Sequence, residues 1–263
     1  MSLVAFCAGK GSPGVTTSAL ALARAWPRPA VLAELDPSGG DLALRLTDGA
    51  GHHALAPRPG LLTWAAAGMS PNPPVSDHVQ LAGAVTVLAG CAGADQATVL
   101  APLWPRLATQ LSGAPPDVLA DLGRLFPGSA VEPVLAAADL VVVVAAGSVE
   151  GLVHARDRLR ALHGGGHGSD GRLALLLLTG DRAGRHVAGE AAIVLSRDRI
   201  PATVVGFLAD DPRGVEALVR GDRSARWARS LLARTATAVA ATLIALSDAA
   251  TPSTEDTAAV VRR

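Results

Sequence analysis

Lysine is almost missing from this sequence. Of 23 basic side chains in 263 residues, 22 are arginine and one, Lys10, is lysine; tyrosine does not occur at all. Charge of one sign is not in excess either. The 23 acidic side chains bring the formal net charge to zero, which excludes bulk attraction to nucleic acid or anionic lipid and leaves only local patches for such partners. Cysteine occurs twice, as Cys7 in an apolar run and Cys91 in a Gly-Cys-Ala-Gly turn, which argues for reduced thiols in a cytoplasmic protein. The longest apolar runs, near 136–146 and 236–246, fall short of the roughly 20 residues needed to cross a bilayer. The first residues carry no positive leader segment, so membrane insertion is not expected.

What the chain does have is hydrophobic mass, 49% of its residues, enough to bury a large core as one α/β domain over 1–248. Apolar runs without polar alternation recur near Leu3–Ala8, Ala30–Leu35, Val85–Ala89, Val118–Leu122, Leu140–Ala145, Leu173–Leu178 and Thr203–Leu208. Such runs read as parallel strands buried on both faces. Helical stretches separate most of them: Thr16–Trp26, Gln96–Leu111, Val131–Ala138, Val149–Leu162, Gly184–Arg197, Gly214–Val219 and Ser224 to about Leu246. The alternation predicts a doubly wound, mostly parallel sheet flanked by helices. Two regions interrupt it, a Pro-, Gly- and His-rich excursion over Thr47–Val79 with a short helix at Leu61–Ala67, and a flexible linker, Gly164–Gly171. Residues 249–263 read as a disordered tail.

The lone lysine lies in a glycine-rich loop that follows the first strand, Gly9-Lys10-Gly11-Ser12-Pro13-Gly14-Val15-Thr16-Thr17. Its frame is that of a phosphate cradle, G-x-x-x-x-G-K-[ST], with Gly9 and Gly14 as the glycines and Thr16 at the hydroxyl that holds Mg²⁺. Val15 stands where that motif places its lysine, which removes a charge-assisted contact worth about 1.5–3 kcal/mol. Pro13 has no N–H to offer an anion. The loop length, three glycines, two threonines and the dipole of the following helix remain.

On these residues the sequence resembles the ParA/MinD family of deviant-Walker P-loop ATPases, whose loop reads K-G-G-x-G-K-T-T. Lys10 matches that family's signature lysine, and the resemblance implies that it bridges to the partner's phosphates in an ATP-sandwich homodimer. Ala30–Asp41 is similar to the second strand and D-x-D-P-Q-G-x segment, with Glu34 in place of the first Asp and Asp36 as the carboxylate that orients the attacking water. Asp117–Gly123 is similar to the Walker B strand, with Asp121 reaching Mg²⁺ through water. Pro201–Glu216 is similar to the final strand and adenine-side loop, although Thr179-Gly180-Asp181 stands where an adenine-reading asparagine is usual. Degenerate relatives with such loops occur in the CpaE/TadZ branch. The implied cofactors are ATP and Mg²⁺, with catalytic Asp36 and Lys10, a cradle of Gly9–Thr17, and a metal site of Thr16 and Asp121. The implied role is a dimerising positioning or assembly factor acting on a protein cargo.

Each signal has a plainer reading. Asp36 also suits the cap of the turn into Pro37-Ser38-Gly39. Arg124 could pair with Asp121 or replace the lost phosphate contact. His163 and His167 read as a solvated loop rather than a metal site. Arg213, Arg220, Arg223, Arg226 and Arg229 lie where ParA-like proteins bind DNA nonspecifically, but on one continuous helix their spacing spreads them around half its circumference, the pattern of a salt-bridged face. Two other functions remain open: a pseudo-ATPase scaffold that binds proteins without nucleotide, and an ATP-dependent synthetase or ligase of the same fold.

Overall fold

The computed structural model describes residues 1–11, 13–48, 50–67, 74–167, 172–221 and 225–250. Eight strands make one sheet: β1 Leu3–Ala8, β2 Ala30–Glu34, β3 Gln80–Ala82, β4 Val85–Leu88, β5 Asp117–Arg124, β6 Leu140–Ala146, β7 Leu173–Thr179 and β8 Ala202–Ala209. Their order is β3-β4-β2-β5-β1-β6-β7-β8, parallel throughout except for β3 against β4. All seven apolar runs are strands. The eighth, β3, went unread because an exposed three-residue edge strand such as Gln80-Leu81-Ala82 has no apolar run to reveal it.

The helices are α1 Val15–Ala25, α2 Leu42–Arg45, α3 Leu61–Ala67, α4 Ala94–Val99, α5 Trp104–Ser112, α6 Glu132–Ala137, α7 Val149–Gly164, α8 Asp181–Arg197, α9 Pro212–Val219, α10 Ala225–Arg229 and α11 Leu231–Ala250. Two expected helices are broken. Gln96–Leu111 divides into α4 and α5 around a 3₁₀ turn at Ala101–Leu103, because Pro102 and Pro105 lack the N–H that a continuous helix needs. The stretch from Ser224 divides at Ser230. There the first amides of α11 go to side chains: Leu231 N–H donates to Asp211 Oδ2 at 2.9 Å and Ala233 N–H to Ser230 Oγ at 3.0 Å. Helix α11 continues two residues past the expected boundary at 248, and 251–263 lie outside the described residues.

Strand alternation sends side chains to two separate cores. Leu3, Ala5 and Cys7 of β1 join Val141, Val143 and Ala145 of β6 under α5 to α8. Val4, Phe6 and Ala8 join Leu140, Val142 and Val144 under α1, α9 and α11. The 47–79 excursion is tied to the first core by Leu61 and by Trp64, which is 1% exposed. Helix α11 is longer than the apolar run that marked it, and by length and composition alone it could cross a membrane. Its Leu232, Ala236, Val239, Ala240 and Leu243 are instead buried in the second core.

Candidate functional site

The C-terminal ends of β1, β2 and β5 lie side by side, the edge at which parallel α/β sheets bind ligands. From β1 the chain passes through Gly9, Lys10 and Gly11 to Pro13, then turns into α1 at Gly14. Gly11 and Gly14 hold left-handed backbone angles, φ 71° and 86°, that favour glycine. Gly9 is required by close approach, since a Cβ there would lie 2.9 Å from Cβ of Arg158 on α7. Lys10 is exposed at the rim of a cavity of about 220 Å³ between the loop and α7, with His154 opposite. Val15 is turned into the second core and 6% exposed. Ser12 lies outside the described residues.

Asp121 stands at the foot of this loop, fully buried on β5. Its Oδ1 accepts the Gly123 N–H at 3.0 Å, the Thr16 hydroxyl faces the carboxyl, and Oδ2 has no hydrogen-bond partner among the described residues. Burial pushes its pKa up to about 7. The Thr16 and Gly123 donors oppose that rise, and the charges of Glu34 and Asp36 add to it. A buried carboxyl with one open oxygen beside a hydroxyl suits a hard divalent cation that draws its other ligands from water and phosphate. The two residues expected to hold Mg²⁺ are therefore together and fit it.

Asp36 follows β2. Its Oδ1 accepts the Ser38 N–H at 2.7 Å and its main-chain carbonyl accepts the Gly39 N–H at 3.1 Å, so the turn-capping role is real. Its Oδ2 presses on Gly123, where an added Cβ would lie 1.7 Å away. Gly123 has φ 59° and sits where the β1–β5 register slips, so the bulge after Asp121 brings the chain against Asp36. Burial raises the Asp36 pKa, against the pull of the Ser38 donors.

Glu34, register partner of Asp121, works differently. Oε1 accepts the Leu42 N–H at 2.8 Å and Oε2 the Gly90 N–H at 3.0 Å, so one buried carboxyl clasps the loops after β2 and β4. Gly40 and Gly90 leave it room. The clasp starts α2, whose last residue, Arg45, turns back to donate from Nη2 to Thr17 Oγ1 at 2.9 Å. No local motif announces Arg45. It is 28 residues from Thr17 in sequence, and only the tertiary fold brings it there.

No protein-family model matches this sequence, and no curated protein does. Solved structures do match. A ParA family ATPase from Chlorobium tepidum TLS is 18% identical with a TM-score of 0.71, over 91% of this chain and 98% of that one. The septum site-determining protein MinD of Pyrococcus horikoshii OT3, complexed with Mg-ADP, is 16% identical with a TM-score of 0.70, over 96% and 99%. The MinC:MinD cell division complex of Aquifex aeolicus gives 13% and 0.66, over 93% and 96%.

The chain has the MinD/ParA fold.

Within that fold, two sequence expectations need correction. Arg124 is exposed and is not paired with Asp121, whose Oδ2 stays open. The arginines from 213 to 229 do not lie on one helix: α9 and α10 are separate, and Arg213, Arg220, Arg226 and Arg229 line one cavity of about 560 Å³. Arg220 is paired there with Glu216 at 2.9 Å, while Arg223 lies outside the described residues.

Proposed function

We propose that this chain is a nucleotide-controlled, dimerising positioning or assembly factor that binds Mg-ATP in the Gly9–Thr17 loop. The observation that carries this reading is the half-satisfied Asp121 carboxyl facing Thr16 at the foot of the cradle. Buried charges are normally paired, and Oδ2 of this one has no partner among the described residues. Thr16 and Asp121 hold the metal, the N–H groups of the loop and first turn of α1 take the phosphates, and Asp36 faces the segment that follows Asp121. Lys10, exposed at the rim, reaches the nucleotide of a second copy in the homodimer. The Mg-ADP complex of one MinD fold neighbour supports the cofactor, and the MinC complex of another supports the expectation of a protein partner.

Hydrolysis is the weakest part of this activity, because Val15 supplies no charge to the β- and γ-phosphates. The same residue, packed in the core, supports the second reading, a scaffold without nucleotide. Calorimetric titration with ATP and ADP, each with and without Mg²⁺, separates the two. Magnesium-dependent ATP binding is expected, and no binding at millimolar nucleotide would leave the scaffold. Val15→Lys is expected to tighten ATP about ten- to a hundredfold, the value of one charge-assisted phosphate contact.

A further inference from the structure

The cradle lacks its usual cation, yet a different one is placed beside it. We infer that Arg45 is a phosphate-binding residue that supplies, from α2, the positive charge that Val15 does not. This rests on the nucleotide-site reading above and deepens it.

Three observations converge. Arg45 donates from Nη2 to Thr17 Oγ1 at 2.9 Å, and Thr17 is the third residue of α1, within the first turn whose N–H groups face an anion. Arg45 makes no ion pair among the described residues, so its charge is not spent on a carboxylate of the chain. Its placement is also rigid. The Arg45 N–H donates to the Asp41 carbonyl at 2.9 Å, and the adjacent Leu42 N–H is held by the buried Glu34 carboxyl. A guanidinium carries five N–H donors in a planar fork, so one bond to Thr17 leaves four for phosphate oxygens, and the fork matches two of them at once.

The electrostatics need such a group. Glu34 is the register partner of Asp121 and Asp36 packs against Gly123 two residues on, so three carboxyls crowd the region behind the loop. A bound divalent cation offsets part of this acidity and of the nucleotide's own charge. With Val15 buried, Lys10 lies at the outer rim and Arg45 at the α1 side, so the two cations flank the loop from opposite ends.

The alternative is a staple that merely holds α2 to α1. The full chain and its Arg45→Ala, Arg45→Lys, Val15→Lys and Val15→Lys/Arg45→Ala variants are titrated with Mg-ATP at two salt concentrations, and melted without nucleotide. Arg45→Ala is expected to weaken ATP about tenfold or more and flatten its salt dependence, with a nucleotide-free melting shift under about 3 °C. Arg45→Lys, which keeps the charge and loses the fork, should fall between. Val15→Lys should help Arg45→Ala more than it helps the parent, since two residues serving one phosphate couple in a double-mutant cycle. Unchanged affinity in Arg45→Ala overturns the inference, as does equal help from Val15→Lys in both backgrounds. If the Val15→Lys variants do not fold, affinity and salt slope in Arg45→Ala decide alone. Absence of ATP binding by the parent chain overturns the nucleotide-site reading and this inference together. Parent binding that Arg45→Ala retains in full overturns this inference only.

Discussion

Strand β5 carries a buried aspartate at each end, and the two are treated in opposite ways. At the N-terminal end Asp117 accepts the Ser2 N–H at 3.0 Å and the Trp26 Nε1–H at 2.8 Å, and pairs with Arg28 Nε at 2.7 Å. Towards the C-terminal end Asp121 accepts the Gly123 N–H on Oδ1 and faces the Thr16 hydroxyl, with no basic partner and an open Oδ2 among the described residues. The first arrangement gives both oxygens donors from the protein's own groups and ties the start of β1, the end of α1 and β5 together. The second leaves a charge that the protein does not neutralise. A buried carboxyl that is fully satisfied is architecture, and one left half-satisfied at the ligand-binding edge of a parallel sheet marks a site.

Substitutions at the two ends should differ in sign. Asp117→Ala strands the Trp26 and Ser2 donors and leaves Arg28 with Asp248, 3.0 Å from its Nη1, as its ion-pair partner. With Arg28 a third exposed, the expected loss is about 2–4 kcal/mol in urea denaturation, with ATP affinity little changed. A loss under about 1 kcal/mol would erase the distinction between the ends. Asp121→Asn should raise stability at pH 8 by about 1–3 kcal/mol, below the roughly 4 kcal/mol ceiling set by its raised pKa, while abolishing the magnesium-dependent part of nucleotide binding. Destabilisation would show that the open oxygen has a partner in solution.

The pH dependence follows from the same group. Between its unfolded value near 3.8 and its folded value of about 7, folded Asp121 holds a proton that the unfolded chain has released. Stability from this residue is therefore greatest below about pH 4, falls as pH rises to about 7, and is level above that. Glu34 and Asp36, also raised by burial, act in the same direction. Denaturation midpoints across pH 4–8 should slope downward in the parent and less steeply in Asp121→Asn. Millimolar Mg-ATP should flatten the parent's slope by favouring the ionised form.

The smallest expected effect is at Glu34, which shares the site's neighbourhood but resembles Asp117 in being satisfied. Glu34→Gln keeps one acceptor for Leu42 or Gly90 and turns an amide donor against the other, costing about 1 kcal/mol. Chemical denaturation would read this. Its ATP affinity should fall only slightly, through the placement of α2; a loss as large as that of Asp121→Asn would place Glu34 on the metal itself.

The legible part of the site was local. Gly9, Gly11 and Gly14 announce a turn that side chains disfavour, and the strand before them and helix after them are periodic enough to place it. Thr16 and Asp121 were paired by resemblance, and the structure puts the hydroxyl and carboxyl face to face. Asp36 had two sequence readings; the fold shows Oδ1 capping the turn, and it packs Oδ2 against Gly123. Arg124 was misplaced because three positions along a strand say nothing about a bulge at Gly123. The arginines from 213 to 229 belong to two helices, α9 ending at Val219 and α10 starting at Ala225, so a spacing argument on one continuous helix does not apply to them.

By itself the sequence determined seven of the eight strands, their parallel burial, the glycine loop and the absence of a lysine at position 15. These follow from short-range facts: apolar runs, backbone freedom at glycine and the chemistry of single side chains. Only the tertiary structure decided which carboxyls are spent and which is open, and that Arg45 closes on Thr17. The reason is that satisfaction of a buried charge is a sum over neighbours from distant segments, and a sequence states each neighbour's chemistry but not which of them meet.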